Sequence, residues 1–214
     1  LVRLLGASSY GIYAIALVCV GIAEIFVGGH VAYAIVSTLD LRASHKNALF
    51  WALAALGAAT GAILWLLCEP IAALFNLPAA AEILQAAALL PLLTALTSVP
   101  SKLLERHVNL SALSLNMGLA GVAATWSGIA AAFSDMGPLS LIIMEYVRRI
   151  VTLILHLRSA GWMPGASFNA ADTRAMLAPA IGWIHGHAVK FGATIAAPRI
   201  IVGAILGPET LGSY

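Results

Sequence analysis

The chain of 214 residues is 61% hydrophobic and only 9% charged, with a formal net charge of +2. Its mean hydropathy of +0.96 and its low charge, compared with about 25% charged residues in soluble domains, exclude an ordinary soluble fold. The basic residues are spread over short connectors without interleaved aromatic residues, which excludes a nucleic-acid interface. The composition indicates a protein embedded in a lipid bilayer.

Long apolar runs, taken in chain order, predict six membrane crossings. The first, 11–36, has 26 residues and would extend about 39 Å as a helix, more than the roughly 30 Å of a hydrocarbon core. The other five are predicted at 48–67, 80–99, 110–133, 139–157 and 176–206. The predicted fold class is therefore an all-α integral membrane protein.

Two similar turns, at 5–13 and 206–214, flank the six predicted crossings. Three positions recur 201 residues later: Gly6 as Gly207, Gly11 as Gly212 and Tyr13 as Tyr214. Because six crossings return the chain to the same side of the membrane, this pattern predicts a parallel repeat, as known from transporters. We therefore interpret the whole chain, 1–214, as a single transmembrane fragment that forms one six-helix lobe of a larger two-lobe exporter.

The distribution of Lys and Arg predicts which connectors share a side of the membrane. Three connectors are basic: 37–47, 101–109 and 158–174. Three alternate connectors have neither Lys nor Arg: 69–82, 134–138 and 207–212. By the positive-inside rule the basic connectors are cytoplasmic, and the two landmark turns then lie on the outer side.

Charged residues well inside the predicted crossings are candidate site residues, because an ionisable group at membrane depth is costly without a partner or a wet cavity. They are Glu24, Glu145, Arg148, Arg149, Lys190 and Arg199. In one interpretation they form structural ion pairs, Glu145 with Arg149 and Glu24 with Lys190. In the other, the four basic residues build a cationic cavity that binds an anionic headgroup, and the two glutamates serve coupling or an ion pair.

Geometry separates two of these cations. Nine residues turn a straight helix through about 900°, so Lys190 and Arg199 face opposite ways unless Gly192 or Pro198 redirects the axis.

Small residues, in contrast, predict helix packing: Gly57 with Gly61, and a second stripe at Ser114, Gly118, Gly121, Thr125 and Gly128.

Catalytic signatures are missing from the sequence, so we expect no enzyme, no cofactor and no metal site. The chain contains no G-x-S-x-G, H-E-x-x-H, C-x-x-C or P-loop pattern. His185 and His187 are two positions apart and diverge on a helix, so they are interpreted as packing histidines.

Five segments together resemble the bacterial polysaccharide-biosynthesis flippases. These are the O-antigen and colanic-acid type exporters of the multidrug, oligosaccharidyl-lipid and polysaccharide exporter superfamily. The similarity lies in the order and spacing of YGIYA at 10–14, NALFW at 47–51, EPIAALFN at 69–76, VPSKLLER at 99–106 and RIIVGAILG at 199–207. It covers essentially the whole chain.

The resemblance implies a protein of twelve or more crossings, in which this chain runs from the end of helix 1 through helix 7. Arg148 or Arg149, and Arg199, fall where the family often has arginines. An acidic residue often precedes the latter, and Pro198 stands there in this chain.

The implied function is to flip undecaprenyl-pyrophosphate-linked oligosaccharide from the cytoplasmic to the periplasmic leaflet of the bacterial inner membrane by alternating access. Membrane lipid, a polysaccharide polymerase and glycosyltransferases are the expected partners, and nucleic acid is not. Two alternatives stay open: a multidrug cation antiporter of the same superfamily, and an integral-membrane glycosyl- or acyltransferase that acts on a lipid carrier.

Overall fold

The computed structural model describes residues 2–166, 169–197 and 199, and this part of the chain is helical without a β-strand. The helices in chain order are α1 (Val2–Glu24), α2 (Ala34–Ser37), α3 (Ala43–Leu66), α4 (Cys68–Leu74), α5 (Ala79–Ala87), α6 (Leu90–Arg106), α7 (Leu110–Phe133), α8 (Leu139–Ala160), α9 (Ala170–Leu177) and α10 (Ala180–Phe191). A 3-10 turn at Val31–Tyr33 precedes α2, and a π-helical turn at Gly192–Ala196 follows α10.

Within the described ranges, three helical segments are long and apolar enough to cross a membrane, by length and composition: Ala43–Leu66, Ala79–Arg106 and Leu110–Phe133. The second comprises α5 and α6 with a kink between them. Helix α8 has a similar length of 22 residues but includes charged residues near its middle. The all-α prediction is confirmed, and the protein is an all-α membrane protein.

The first predicted crossing, 11–36, is not one continuous helix. Helix α1 ends at Glu24, and regular helix resumes only at Ala34. The break frees backbone carbonyls, and side chains satisfy two of them: the His30 ring contacts the Ile25 carbonyl at 2.5 Å, and Ser98 Oγ donates to the Val27 carbonyl at 2.9 Å. A break at membrane depth is tolerated when such partners exist.

Helix α3 packs against the kink between α5 and α6. Pro91 lacks the N–H that would continue the hydrogen-bond ladder from α5, so regular helix restarts at Leu90. A Cβ added at Gly57 would lie 2.8 Å from Ala95 Cβ, and one at Gly61 would lie 2.4 Å from the Ala88 carbonyl oxygen. This confirms the predicted role of Gly57 and Gly61 in close packing.

The second small-residue stripe behaves differently from the prediction. Gly128 of α7 packs against Met144 of α8, but a Cβ added at Gly118 or Gly121 would meet nothing within 4 Å. The prediction of close packing is therefore wrong at Gly118 and Gly121. Among the described residues, open space lies at these two glycines instead of a close helix contact.

The basic connectors meet at one end of the helix bundle, which we call the basic end, where α3 begins and α6 and α8 end. Arg106 donates to the Thr38 carbonyl at 2.5 Å, and His45 lies 3.4 Å from the Asp172 carboxylate. Helix α9 packs on α3 at this end. The three basic connectors therefore lie at the same end of the bundle, as the positive-inside rule requires of connectors that share one side of the membrane.

The sixth predicted crossing starts later than expected. Its predicted start, Met176, lies in α9, and Pro179 separates α9 from α10. At the first landmark turn, Gly6 has φ 75° and ψ 161° and interrupts the helix, as a turn there requires. The second landmark, 206–214, and the end of the sixth predicted crossing lie outside the described residues. The parallel repeat therefore stays a prediction.

Candidate functional site

A cavity of about 450 Å³ lies where α1 ends and where α6, α7 and α8 approach one another. Its size falls within the roughly 300–1,000 Å³ typical of ligand pockets. The cavity is lined by Glu24 and Gly29 near the α1 break, by Thr94, Thr97, Ser98 and Ser101 of α6, by Met117 and Gly121 of α7, and by Arg148, Arg149, Thr152 and His156 of α8. Gly121 contributes open space here because it has no side chain.

Arg149 lies at the centre of the polar contacts. Its guanidinium forms close hydrogen bonds to the Glu24 carboxylate and to Thr94 Oγ1. It also donates to the Leu90 carbonyl at 3.2 Å and to Glu145 Oε2 at 3.4 Å. Thr94 in turn donates to Glu24 at 2.7 Å. The arginine thus joins α1, α6 and α8 in one hydrogen-bonded network.

Glu145 is the buried acid of this network, and its side chain is only 3% exposed. It accepts a hydrogen bond from Tyr13 Oη at 2.9 Å and pairs with Arg148, one helical turn along α8. The Arg148 side chain is 51% exposed, whereas that of Arg149 is 14% exposed. Arg148 is therefore the more accessible of the two guanidinium groups.

These four charged residues balance, two carboxylates against two guanidinium groups. Ion pairing of this kind lowers the cost of holding charge at membrane depth. Three side-chain nitrogens of residues that line the cavity are nevertheless buried without a partner among the described residues: Nε of Arg149 and both ring nitrogens of His156.

A family model described as polysaccharide biosynthesis protein matches residues 1–214. The chain belongs to this family. Comparisons with curated proteins and with solved structures gave no match. Membership places the protein in polysaccharide synthesis or export, and the charged cavity is the candidate site for that role.

In this polysaccharide biosynthesis protein, four of the six predicted site residues lie together. Glu24, Glu145, Arg148 and Arg149 form the network, although they come from two predicted crossings. The ion pair predicted between Glu145 and Arg149 is present at 3.4 Å, but the pair predicted between Glu24 and Lys190 is wrong. Glu24 contacts Arg149 instead, because the end of α1 faces α6 and α8.

Lys190 and Arg199 lie apart from this cavity. Lys190 is exposed on α10, and its carbonyl accepts a hydrogen bond from Thr194 at 2.6 Å. Arg199 borders a separate, largely apolar cavity next to Ile15 and Val18 of α1. Of the four cations predicted to line one cavity, Arg148 and Arg149 of α8 belong to the network, and Lys190 and Arg199 do not.

Two partners in the network were not predicted from the sequence, Tyr13 and Thr94. In the sequence, Tyr13 belongs to the first landmark turn and to the YGIYA segment, and neither pattern indicates a charged partner. A sequence signal for Thr94 does exist, because the hydroxyl residues of α6 recur at helical spacing: Thr94, Thr97, Ser98 and Ser101. Nothing in that spacing identifies their partner on α1.

His187 contacts His30 by ring stacking, with centroids 4.0 Å apart and planes at 9°. This contact agrees with the interpretation of His187 as a packing histidine, and it links α10 to the break after α1. In the described part of the chain, no group of three or more His, Cys, Asp or Glu residues is arranged to hold a metal ion.

Proposed function

We propose that the protein is a flippase of undecaprenyl-pyrophosphate-linked oligosaccharide and not an enzyme. In this proposal it is a multi-pass protein of the bacterial inner membrane that moves the lipid-linked repeat unit from the cytoplasmic to the periplasmic leaflet by alternating access. A polysaccharide polymerase and glycosyltransferases would be its partners. The observation that supports the proposal is the cavity at the α1 break, with two arginines of α8 in its wall.

Arginine suits the diphosphate headgroup because its planar guanidinium matches phosphate oxygens in pairs and stays charged when it is dehydrated. Arg148 is half exposed at the cavity and is held by a single carboxylate, Glu145. An entering diphosphate can therefore compete with Glu145 for Arg148. Arg149, which has four hydrogen-bond acceptors around it, stays in place and holds the surrounding helices together.

A broken helix beside the site supports the same function. In transporters, substrate sites are often built at discontinuous membrane helices, where irregular backbone lines a cavity. Glu24 is the last residue of α1, and Gly29, within the break, also lines the cavity. Alternating access requires segments that can change their relative position, and a break of this kind provides one.

The test is export in cells that lack the gene and are complemented with the full-length protein. Arg148→Ala should reduce periplasmic accumulation of labelled lipid-linked oligosaccharide at least tenfold while the protein remains in the membrane. Arg158→Ala is the matched control, because Arg158 is exposed at the end of the same helix and outside the cavity. Normal export by the Arg148 variant would contradict the proposal.

A cation antiporter of the same superfamily is the second candidate, and one observation favours it: Glu24 lines the cavity and balances Arg149. An antiporter for organic cations requires such a carboxylate facing the substrate. Cells that gain drug resistance from the full-length protein, lose it with Glu24→Gln and accumulate no lipid-linked oligosaccharide would establish this function instead.

A further inference from the structure

The cavity has two chemically different ends. From Arg149 to His156 along α8, and from Thr94 to Ser101 along α6, the walls extend seven residues, or about 10 Å, toward the basic end. The charged network occupies the Arg149 end. The side chains of Ser101, Thr152 and His156 line the other end, which we call the His156 end.

The hydroxyl groups near the charged network already donate within the protein. Thr94 donates to Glu24, Thr97 donates to the Thr94 carbonyl at 2.9 Å, and Ser98 donates to the Val27 carbonyl. At the His156 end, the hydroxyl groups of Ser101 and Thr152 have no hydrogen-bond partner in the ranges that the structure describes. Their donors are therefore available to a ligand.

His156 is the decisive residue. It is only 3% exposed, it lines the cavity, and neither of its ring nitrogens has a partner among the described residues. A buried polar group without a partner is costly, and native proteins satisfy nearly all such groups. The imidazole thus requires a partner that enters the cavity.

The unpartnered groups identify the chemistry of that partner. A neutral imidazole presents one donor and one acceptor, and each hydroxyl presents both. A phosphate oxygen accepts but cannot donate to the acceptor nitrogen, whereas a sugar hydroxyl does both. The neighbouring cation, Lys102, is already paired with Glu105 at 2.6 Å. The His156 end therefore suits an uncharged ligand rich in hydroxyl groups.

We infer that the His156 end is a binding subsite for a sugar ring of the lipid-linked glycan, with His156 as a residue that determines glycan specificity. This inference rests on the proposed flippase function and deepens it. The diphosphate contacts Arg148, and the sugar next to it hydrogen-bonds to His156, Ser101 and Thr152. The spacing of about 10 Å between the two ends separates headgroup recognition from sugar recognition.

The experiment measures the affinity of the purified full-length protein for two probes. One is undecaprenyl pyrophosphate without sugar, and the other is the same lipid linked to the repeat unit of the natural host. His156→Phe keeps an aromatic ring and removes both nitrogens, so it should weaken binding of the glycan-bearing probe about tenfold and leave the sugar-free probe unchanged. His156→Gln keeps a donor and an acceptor and should restore most of the affinity.

His185→Phe is the matched control, because His185 is exposed on α10 and outside the cavity; it should change neither affinity. Equal loss of both probes in His156→Phe, or no loss of either, would overturn the sugar subsite. Wild-type protein that binds both probes equally would also overturn it, while the flippase proposal would stand. Wild-type protein that binds neither probe would contradict the proposed function and the subsite together.

Discussion

At the scale of single residues, Arg149 connects parts of the chain that are far apart. Its partner Glu24 is 125 positions away, and Thr94 is 55 positions away. The Arg149 side chain is 14% exposed and that of Glu24 is 24% exposed, so neither charge is well solvated. Removing one partner of such a pair leaves the other charge uncompensated, which usually costs more than the pair contributed.

We expect Arg149→Met to destabilise the protein by about 3–5 kcal/mol, because Glu24 loses its cation while Glu145 keeps Arg148. Thermal unfolding of the purified protein in detergent measures the change. Combining the substitution with Glu24→Gln removes the isolated charge and should recover most of the loss. Equal stability of Arg149→Met and wild type would show that the pair contributes nothing.

At the scale of elements, the interrupted first helix depends on side chains from other segments. The Val27 carbonyl, released by the break, accepts from Ser98, which is buried on α6. The break after α1 is therefore stabilised by a hydroxyl group of α6. One hydroxyl that lines the cavity, that of Ser98, thus also holds the broken backbone beside it.

Ser98→Ala should cost about 1–3 kcal/mol, because it leaves the buried Val27 carbonyl without its partner. Ser127→Ala is the control: Ser127 donates to the Ala124 carbonyl of its own helix, which leaves that helix intact when the hydroxyl is lost. The control should stay within about 0.5 kcal/mol of wild type. Chemical denaturation measures the free energy of unfolding of both variants. Equal losses of stability in Ser98→Ala and Ser127→Ala would argue against a specific role of Ser98.

Two glycines test the difference between close packing and open space. Gly61→Ala places a Cβ 2.4 Å from the Ala88 carbonyl oxygen, so the α3 and α6 region must shift at a cost of about 1–3 kcal/mol. Gly118→Ala meets nothing within 4 Å and should stabilise α7 by up to about 1 kcal/mol. The midpoint temperature of thermal unfolding should therefore fall for Gly61→Ala and rise for Gly118→Ala. A loss of stability in both would contradict the open space at Gly118.

At the scale of the whole molecule, the basic connectors lie at one end, and the turn that contains Asp135 lies between α7 and α8, away from that end. We expect a cysteine at His107 to be cytoplasmic and one at Asp135 to be periplasmic, by the positive-inside rule. Both residues are exposed.

A membrane-impermeant maleimide tests this topology after Cys19 and Cys68 have been replaced by alanine. Asp135→Cys should react in intact cells, and His107→Cys only after the cells are permeabilised. The reverse pattern would invert the topology and place the His156 end of the cavity toward the periplasm. Reaction of both cysteines in intact cells would contradict placement on opposite sides.

The sequence by itself determined the class of the protein and much of its local structure. Composition and run length predicted the three helical segments that are long and apolar enough to cross a membrane, and regular small-residue spacing predicted the contact at Gly57 and Gly61. The sequence also predicted the pair of Glu145 with Arg149 on α8, because residues four apart share a helix face. These features depend on neighbours in the chain and on the lipid environment, which composition and periodicity report directly.

Only the tertiary structure decided which charges meet. Spacing does not specify how one helix is rotated against another, so the sequence paired Glu24 with Lys190, whereas the structure pairs it with Arg149. It also did not show that α1 breaks after Glu24, that Tyr13 contacts Glu145, or that His156 lies buried beside a cavity. Those facts depend on the rotation and depth of four packed helices, which are set by the combined packing of all of them.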